Sequence, residues 1–581
     1  MKNKKPILVL VALVVIVGLL FGVYTVTRPK TRAEVPQTQP TAVPTQATTE
    51  PAPETQAPTA PQETEAAIVS EFRVINYDDP NWFVNAHLQD LDGDWPLFYL
   101  DDLSSREAMI GRADWYFNQL FNDTQVTDVL LCAFEQMSFV QADTMGWIFE
   151  KEAKAMENGT VENMDYFKGV AEKGQPLYYA LTEYDVDWYQ LAIDYCKDAG
   201  VRPWTYFRMN DHHGVDWGDV SLFHDDFWYE AKENGWLIGN EETYGFNIAN
   251  TYDFAHEEVR QWMLAYIEEI ACRYDTFGLQ LDFMREIFCF DYLNNPDKTE
   301  IMTQFIRDVA AIVEKAEAIH GHDMKLMIRL GVDVDHNLVY GYDVAQWAEE
   351  GLMDAVVPSP RWNATNSGIP MEEWVEAVGD DIAIFAGFEY CLMDPIKIKQ
   401  NHVKGIAGGY MTQGADGMYF NNFYQLGDAG VKDVHRLNPG QLAEGPRTYT
   451  VTYQDQVPIG ETRYKPLPMD ISDGTTLEIY MGEIRDSETV KVSIGYNTGL
   501  LAQAPQEITL NGVAPVEAKE MKVNAYSSAG YYADNNNRVQ EAEILIQYTF
   551  KNVSTEDVLV ITIPATAGCE AAGLEINVSP F

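Results

Sequence analysis

Two stretches decide the fold: Gly278–Glu286, GLQLDFMRE, and Thr205–His213, TYFRMNDHH. Each is a short apolar run that stops abruptly in charged and polar groups. Buried parallel strands read as near-continuous apolar runs, and in an α/β barrel the working groups stand where such strands leave the core. Both stretches therefore predict strands whose C-terminal ends open into a cleft.

Outward from these two, short β-like runs alternate with amphipathic helical runs. The candidate strands are Arg73–Tyr77, Asp128–Phe134, Trp204–Met209, Leu279–Phe283, Lys325–Leu330, Ala355–Pro358, Ile382–Phe388 and Gly417–Phe420. Helices are expected at Ser105–Phe121, Asp187–Ala199, His256–Tyr274, Lys298–His320, Tyr342–Glu350, Met371–Val378 and Pro395–Gln413. Lys298–His320 follows Asn295-Pro296-Asp297 and ends in Gly321, a cap signal at each end. This alternation predicts a (β/α)8 TIM barrel over residues 71–430. A doubly wound open sheet is the rival, but no GxGxxG turn follows the first strand.

From residue 446 to 581 the texture changes to alternating runs such as TTLEIYMG, TVKVSIGY and DVLVITIP between Gly, Asn and Asp turns. That predicts a C-terminal antiparallel β-sandwich, either a packing domain or a carbohydrate-binding accessory. At the other end, Lys2, Lys4 and Lys5 precede the apolar run Ile7–Val26. At about 1.5 Å per residue this run spans a bilayer. Residues 1–30 therefore read as a transmembrane anchor, or as a secretion signal if cleaved. Residues 31–70 are rich in Pro, Thr, Gln and Ala and read as a disordered linker. The expected location is the cell membrane, single-pass, with the bulk of the chain outside.

The composition excludes several classes. A net charge of −49 over 581 residues repels nucleic acid. The six cysteines form no CxxC pair, so zinc-ribbon and thioredoxin-type readings fail, and no disulfide framework is implied. Cys132, Cys196 and Cys272 read as small core residues.

The predicted strand ends carry the candidate site. Asp282 interrupts an apolar run, where a carboxylate is costly unless paired or facing a solvated site. It reads as a catalytic nucleophile or base that Arg208 or Arg285 could hold ionised, or as a structural carboxylate paired with one of them. Polar groups at nearly every predicted strand end suit a substrate with many hydroxyls, such as a sugar, and cleaving a glycosidic bond requires a second carboxyl. Glu389, closing the run IAIFAGFE, is the first choice for a general acid of raised pKa. Asp211, Glu286 and Glu135 compete with it. Arg208, Asn210, His212, Arg285, Glu286, Arg329, Asn422, Glu135 and Asp78 are expected to bind substrate. Trp82, Trp204, Tyr206, Trp217, Trp228, Tyr244, Tyr390, Tyr419 and Phe423 lie at or after strand ends, which suits stacking on sugar rings and equally suits a large core. His212 and His213 are adjacent, so on a strand they face opposite ways and cannot share one ion without a turn.

The segments YFRMND and YDTFGLQLDFMR resemble those of a group of bacterial glycosyl-hydrolase-like, family-10-like barrels, over roughly Glu71–Leu426. The chain departs from their pattern where Thr276-Phe277 replaces an aspartate before Gly278, at the end where the chain enters the strand. The resemblance implies a retaining-type nucleophile at Asp282. It also implies a carbohydrate substrate and an O-glycosyl hydrolase that needs no cofactor. Two alternatives stand beside it. One is a non-catalytic glycan-binding surface protein, and the other a metal-dependent hydrolase using His212, Asp211 and Asp282.

Overall fold

The computed structural model describes residues 81–86 and 102–580 with short breaks, among them 212–214, 285, 390, 422 and 424–432. The expected anchor, the linker, the strand Arg73–Tyr77 and Asp78 lie outside the described residues. No helix among the described residues is long and apolar enough to cross a membrane.

Eight parallel strands form one sheet: β1 (Asn81–Ala86), β2 (Asp128–Glu135), β3 (Arg202–Arg208), β4 (Gly278–Asp282), β5 (Lys325–Leu330), β6 (Ala355–Pro358), β7 (Ala383–Glu389) and β8 (Gly417–Asn421). Each pairs with the next along the chain. β1 also pairs with β8, so the sheet closes into an α/β barrel. The position expected for Arg73–Tyr77 is filled by Asn81–Ala86. The other seven expected strands are present, shifted by two residues or fewer. Strands β4 to β8 are buried along their whole length. Such burial on both faces is why they read as unbroken apolar runs.

The helices between them follow from local signals. Asp187 caps Trp188–Asp198 by accepting hydrogen bonds from the Tyr189 and Gln190 amides. Gly321, at φ 79°, ends Lys298–His320 in the left-handed region that glycine adopts without penalty. Asp297 precedes that helix but makes no side-chain cap bond, so only one of the two expected caps forms. The last barrel helix starts at Gln400 rather than Pro395, because Cys391–Met393 and Ile396–Lys397 pair as a short hairpin first. Of the cysteines, Cys132, Cys196, Cys272, Cys289 and Cys569 are free, and Cys132 and Cys196 are fully buried.

Two helices inserted after β2, Ile148–Glu157 and Asp165–Glu183, have no counterpart in the sequence reading. Pro176 and two glycines interrupt the second one's pattern. Between them, Glu152 is fully buried and has no hydrogen-bond partner among the described residues. Gly174 makes room for it, since a Cβ there would overlap its carboxyl. Burial pushes the Glu152 carboxyl well above its ordinary range. A raised folded-state pKa means stability present at low pH and lost as pH rises. Glu152→Met is therefore expected to stabilise the protein by about 2 kcal/mol at pH 7. The gain should shrink towards pH 4 in urea titrations across that range.

Beyond the barrel, one antiparallel sheet runs in the order β9 (Arg447–Val451), β15 (Glu570–Pro580), β11 (Glu488–Asn497), β13 (Ile544–Lys551), β12 (Glu517–Met521). A second sheet pairs β10 (Thr475–Tyr480) with β14 (Val558–Ile563). Leu477 and Ile479 of β10, Val490 and Val492 of β11 and Ile561 of β14 share one apolar core, so the two sheets form a sandwich. β10 alternates buried and exposed positions, as a strand with one wet face must.

The helix Gln400–Thr412 joins barrel to sandwich by close backbone approach. A Cβ on Gly405 would overlap the Thr448 carbonyl of β9, and one on Gly409 would lie 2.6 Å from the Tyr480 carbonyl of β10. Backbone cannot yield as a side-chain tip can. Gly405→Ala is expected to cost about 2–3 kcal/mol, and calorimetry should then resolve two transitions in place of one.

Candidate active site

The C-terminal ends of the strands gather the acids that the sequence singled out. Register brings Arg208 of β3, Asp282 of β4 and Arg329 of β5 to one level, and it pairs Glu389 of β7 with Asn421 of β8. Asp282 and Glu389 meet on one guanidinium. Arg329 Nη1 donates to Asp282 Oδ2 at 3.0 Å, and Arg329 Nη2 donates to Glu389 Oε1 at 2.6 Å. All three side chains are no more than 2% exposed.

Neighbouring groups fix this triad. Asp282 Oδ1 accepts from the Met284 amide at 2.8 Å. Asn421 Nδ2 donates to Glu389 Oε1 at 2.8 Å. Ser359 Oγ accepts from Arg329 Nη2 at 2.9 Å. Gly387 on β7 leaves space for Ser359, whose side chain a Cβ there would strike. Thr365 Oγ1 accepts from the Glu389 amide at 2.7 Å and donates to its carbonyl at 2.9 Å.

Burial sets the electrostatics. It raises the Glu389 carboxyl above its ordinary range, opposed by Arg329 and Asn421 and reinforced by Asp282. Burial alone would discharge Arg329, but Asp282 and Glu389 outweigh it and hold the guanidinium charged. The result is a buried acid biased towards keeping its proton, beside a carboxylate whose charge an arginine neutralises.

The other described site residues fall outside this triad. Arg208 Nη1 contacts Glu135 Oε1 at 2.6 Å and Asp211 Oδ2 at 3.0 Å, so Arg208 serves these acids rather than Asp282. Glu286 accepts from Arg361 Nη2 at 2.7 Å. Asn210 Nδ2 donates to the carbonyls of Tyr252 and Phe288, tying the loop after β3 to the loop after β4. Arg285, His212, His213 and Asn422 lie outside the described residues. Arg329, expected to bind substrate, bridges the two acids.

Asn421 and Ser359 stand at or just after the ends of β8 and β6, where the apolar runs stop in polar groups. Thr365 and Arg361 were missed, because they sit on a loop whose path no local pattern reveals. Five of the aromatics take the core position that the sequence left open. Trp204, Tyr206, Trp228, Tyr419 and Phe423 are at most 2% exposed and fill the core. Tyr419 donates to Gln280 Oε1 inside the barrel at 3.0 Å, and Trp204 Nε1 donates to Asp128 near the opposite end. Tyr244 is half-buried and bonded to Asp291. The side chains of Trp82, Trp217 and Tyr390 lie outside the described set.

No protein-family model matches this sequence, and no curated protein is similar to it. Solved structures similar to it include carbohydrate-cleaving enzymes. α-L-Fucosidase isoenzyme 2 from Paenibacillus thiaminolyticus is 11% identical over 57% of this chain and 45% of its own, with a TM-score of 0.35. Isoenzyme 1 from the same organism is 12% identical over 85% and 99%, at 0.31. The PgaB (BpsB) glycoside hydrolase domain from Bordetella bronchiseptica is 12% identical over 62% and 99%, at 0.34. This chain spans under half the length of the first. Likeness at these scores carries no chemistry from one protein to the other.

Proposed function

We propose that this protein hydrolyses O-glycosidic bonds of an oligo- or polysaccharide at the C-terminal mouth of its barrel. One observation carries the reading: Asp282 and Glu389, from separate strands, converge on Arg329 where both strands leave the core. Glycoside cleavage requires one carboxyl that gives up a proton and one carboxylate that attacks or activates water. Glu389, with its raised pKa, is the acid. Asp282, neutralised by Arg329, is the nucleophile or base. Glu135, Asp211 and Glu286, with Arg208, Asn210 and Arg361, are the groups that would orient hydroxyls around them. The resemblance in YFRMND and YDTFGLQLDFMR points the same way. The test is hydrolysis of a panel of aryl glycosides and oligosaccharides by the wild type and by Asp282→Asn. Turnover indifferent to the substitution sinks the reading.

The low exposure of all three groups of the triad favours a second reading, a glycan-binding barrel without turnover in which the triad is structural. It predicts that the wild type retains glycans on an affinity matrix but releases no reducing sugar. A metal-dependent route would enlist His212, Asp211 and Asp282. Asp211 is bound to Arg208, which competes with any ion for it. Activity that survives EDTA would exclude that route.

The location follows from the segment Ile7–Val26. The protein is proposed to be held in the cell membrane by that segment, with the barrel outside on the Pro- and Thr-rich spacer, or secreted if the segment is cleaved. Protease shaving of intact cells, followed by detection of released barrel peptides, tests this.

A further inference from the structure

The loop between β6 and the helix Met371–Val378 contacts Arg329, Glu286 and Glu389 of the acid cluster. Ser359 accepts from Arg329, Arg361 holds Glu286, and Thr365 brackets both the amide and the carbonyl of Glu389. Two residues further on, the same loop leaves the barrel for the sandwich. The Ser367 amide donates to the Thr450 carbonyl of β9 at 3.1 Å, and Ser367 Oγ donates to that same oxygen at 2.7 Å. Thr450 is fully buried. β9 is itself clamped to the barrel: Asn401 Nδ2, from the helix Gln400–Thr412, donates to Thr448 Oγ1 at 2.6 Å. Ser367 and Thr365, two residues apart on one loop, thus bond a sandwich strand at one position and the backbone of Glu389 at the other.

We infer that the C-terminal sandwich positions the proposed acid: Ser367, held on the β9 backbone, fixes Thr365, and Thr365 fixes Glu389. The inference rests on the reading of Glu389 as the acid, and it makes Ser367 and Thr365 positioning residues. A strand end carries its last residue only as firmly as its hydrogen bonds hold it. At Glu389, the last residue of β7, the Thr365 hydroxyl bonds both the amide and the carbonyl. Thr365 lies on a loop, which is rigid only where it is tied. The tie is Thr450. This gives the sandwich a task other than binding glycan.

The test uses the full chain, comparing wild type with Ser367→Ala, Ser367→Thr, Thr365→Val and Glu389→Gln. Hydrogen–deuterium exchange resolved to single amides reads the Glu389 N–H directly, without reference to activity. Loss of one neutral hydrogen bond predicts about fivefold faster exchange there in Ser367→Ala. Thr365→Val should exchange faster still, and Ser367→Thr, which keeps the hydroxyl, should match the wild type. In the same variants the alkaline limb of the pH–rate profile should move to lower pH, because a loosened Glu389 is less buried. A merely structural role would lower the melting temperature and leave both readouts in place. Exchange at Glu389 unchanged in Ser367→Ala, or Ser367→Thr failing to restore it, overturns the inference. Hydrolysis surviving in Glu389→Gln would instead overturn the acid assignment, leaving the exchange result to decide the positioning by itself.

Discussion

Arg329→Met is expected to destabilise the protein by about 3–5 kcal/mol at pH 7, the usual cost of stripping one partner from a buried ion pair. Methionine matches the length of the arginine stem but leaves Asp282 and Glu389 facing each other with no cation between them. Both are about 1% exposed, so water cannot take over the role of the guanidinium. Two buried carboxyls at close range cannot both stay ionised, and at least one must hold a proton. In the variant their folded-state pKa values rise above those of the unfolded chain. The sign follows: the variant's stability is present at low pH and lost as pH rises through the raised values. Its deficit against the wild type should therefore be small near pH 4 and full near pH 8. Urea titrations at those two pH values measure it. A deficit that does not change with pH would mean that the arginine acts by packing alone.

Glu389→Gln is expected to lower kcat by about 10²–10⁴-fold, the range that a positioned general acid contributes. The fold should survive, because an amide oxygen can still accept from Arg329 and Asn421, the two donors on Glu389 Oε1. The loss should be smallest for aryl glycosides with acidic leaving groups, which depart without a proton. Asp282→Asn should fail on every substrate, since no leaving group replaces an attacking carboxylate. This contrast between variants is measurable as a slope of log kcat against leaving-group pKa. In the wild type, rate should fall on the alkaline side as Glu389 ionises, with a midpoint above the ordinary carboxylate range. Equal losses in both variants on all substrates would assign both acids to the structure rather than to the chemistry.

The amino-acid sequence by itself determined seven of the eight barrel strands to within two residues. Lys325–Leu330 and Ala355–Pro358 were legible to the residue, because an apolar run bounded by polar groups is a local property. Gly321 ended its helix for the same local reason. Asp282 and Glu389 end β4 and β7, where the apolar runs stop. Other things needed the tertiary structure. Asp282 lies three residues from Arg285 in sequence, yet strand register sets it beside Arg329, 47 residues away. Trp204, Tyr206, Tyr419 and Phe423 lie in the core because a barrel must be filled to close packing, a demand that no single strand expresses. The tie from Thr450 through Ser367 and Thr365 to Glu389 joins three distant segments through a loop without periodicity. Local pattern fixes where a side chain enters the core, whereas closure of the sheet and docking of the second domain fix what it meets there.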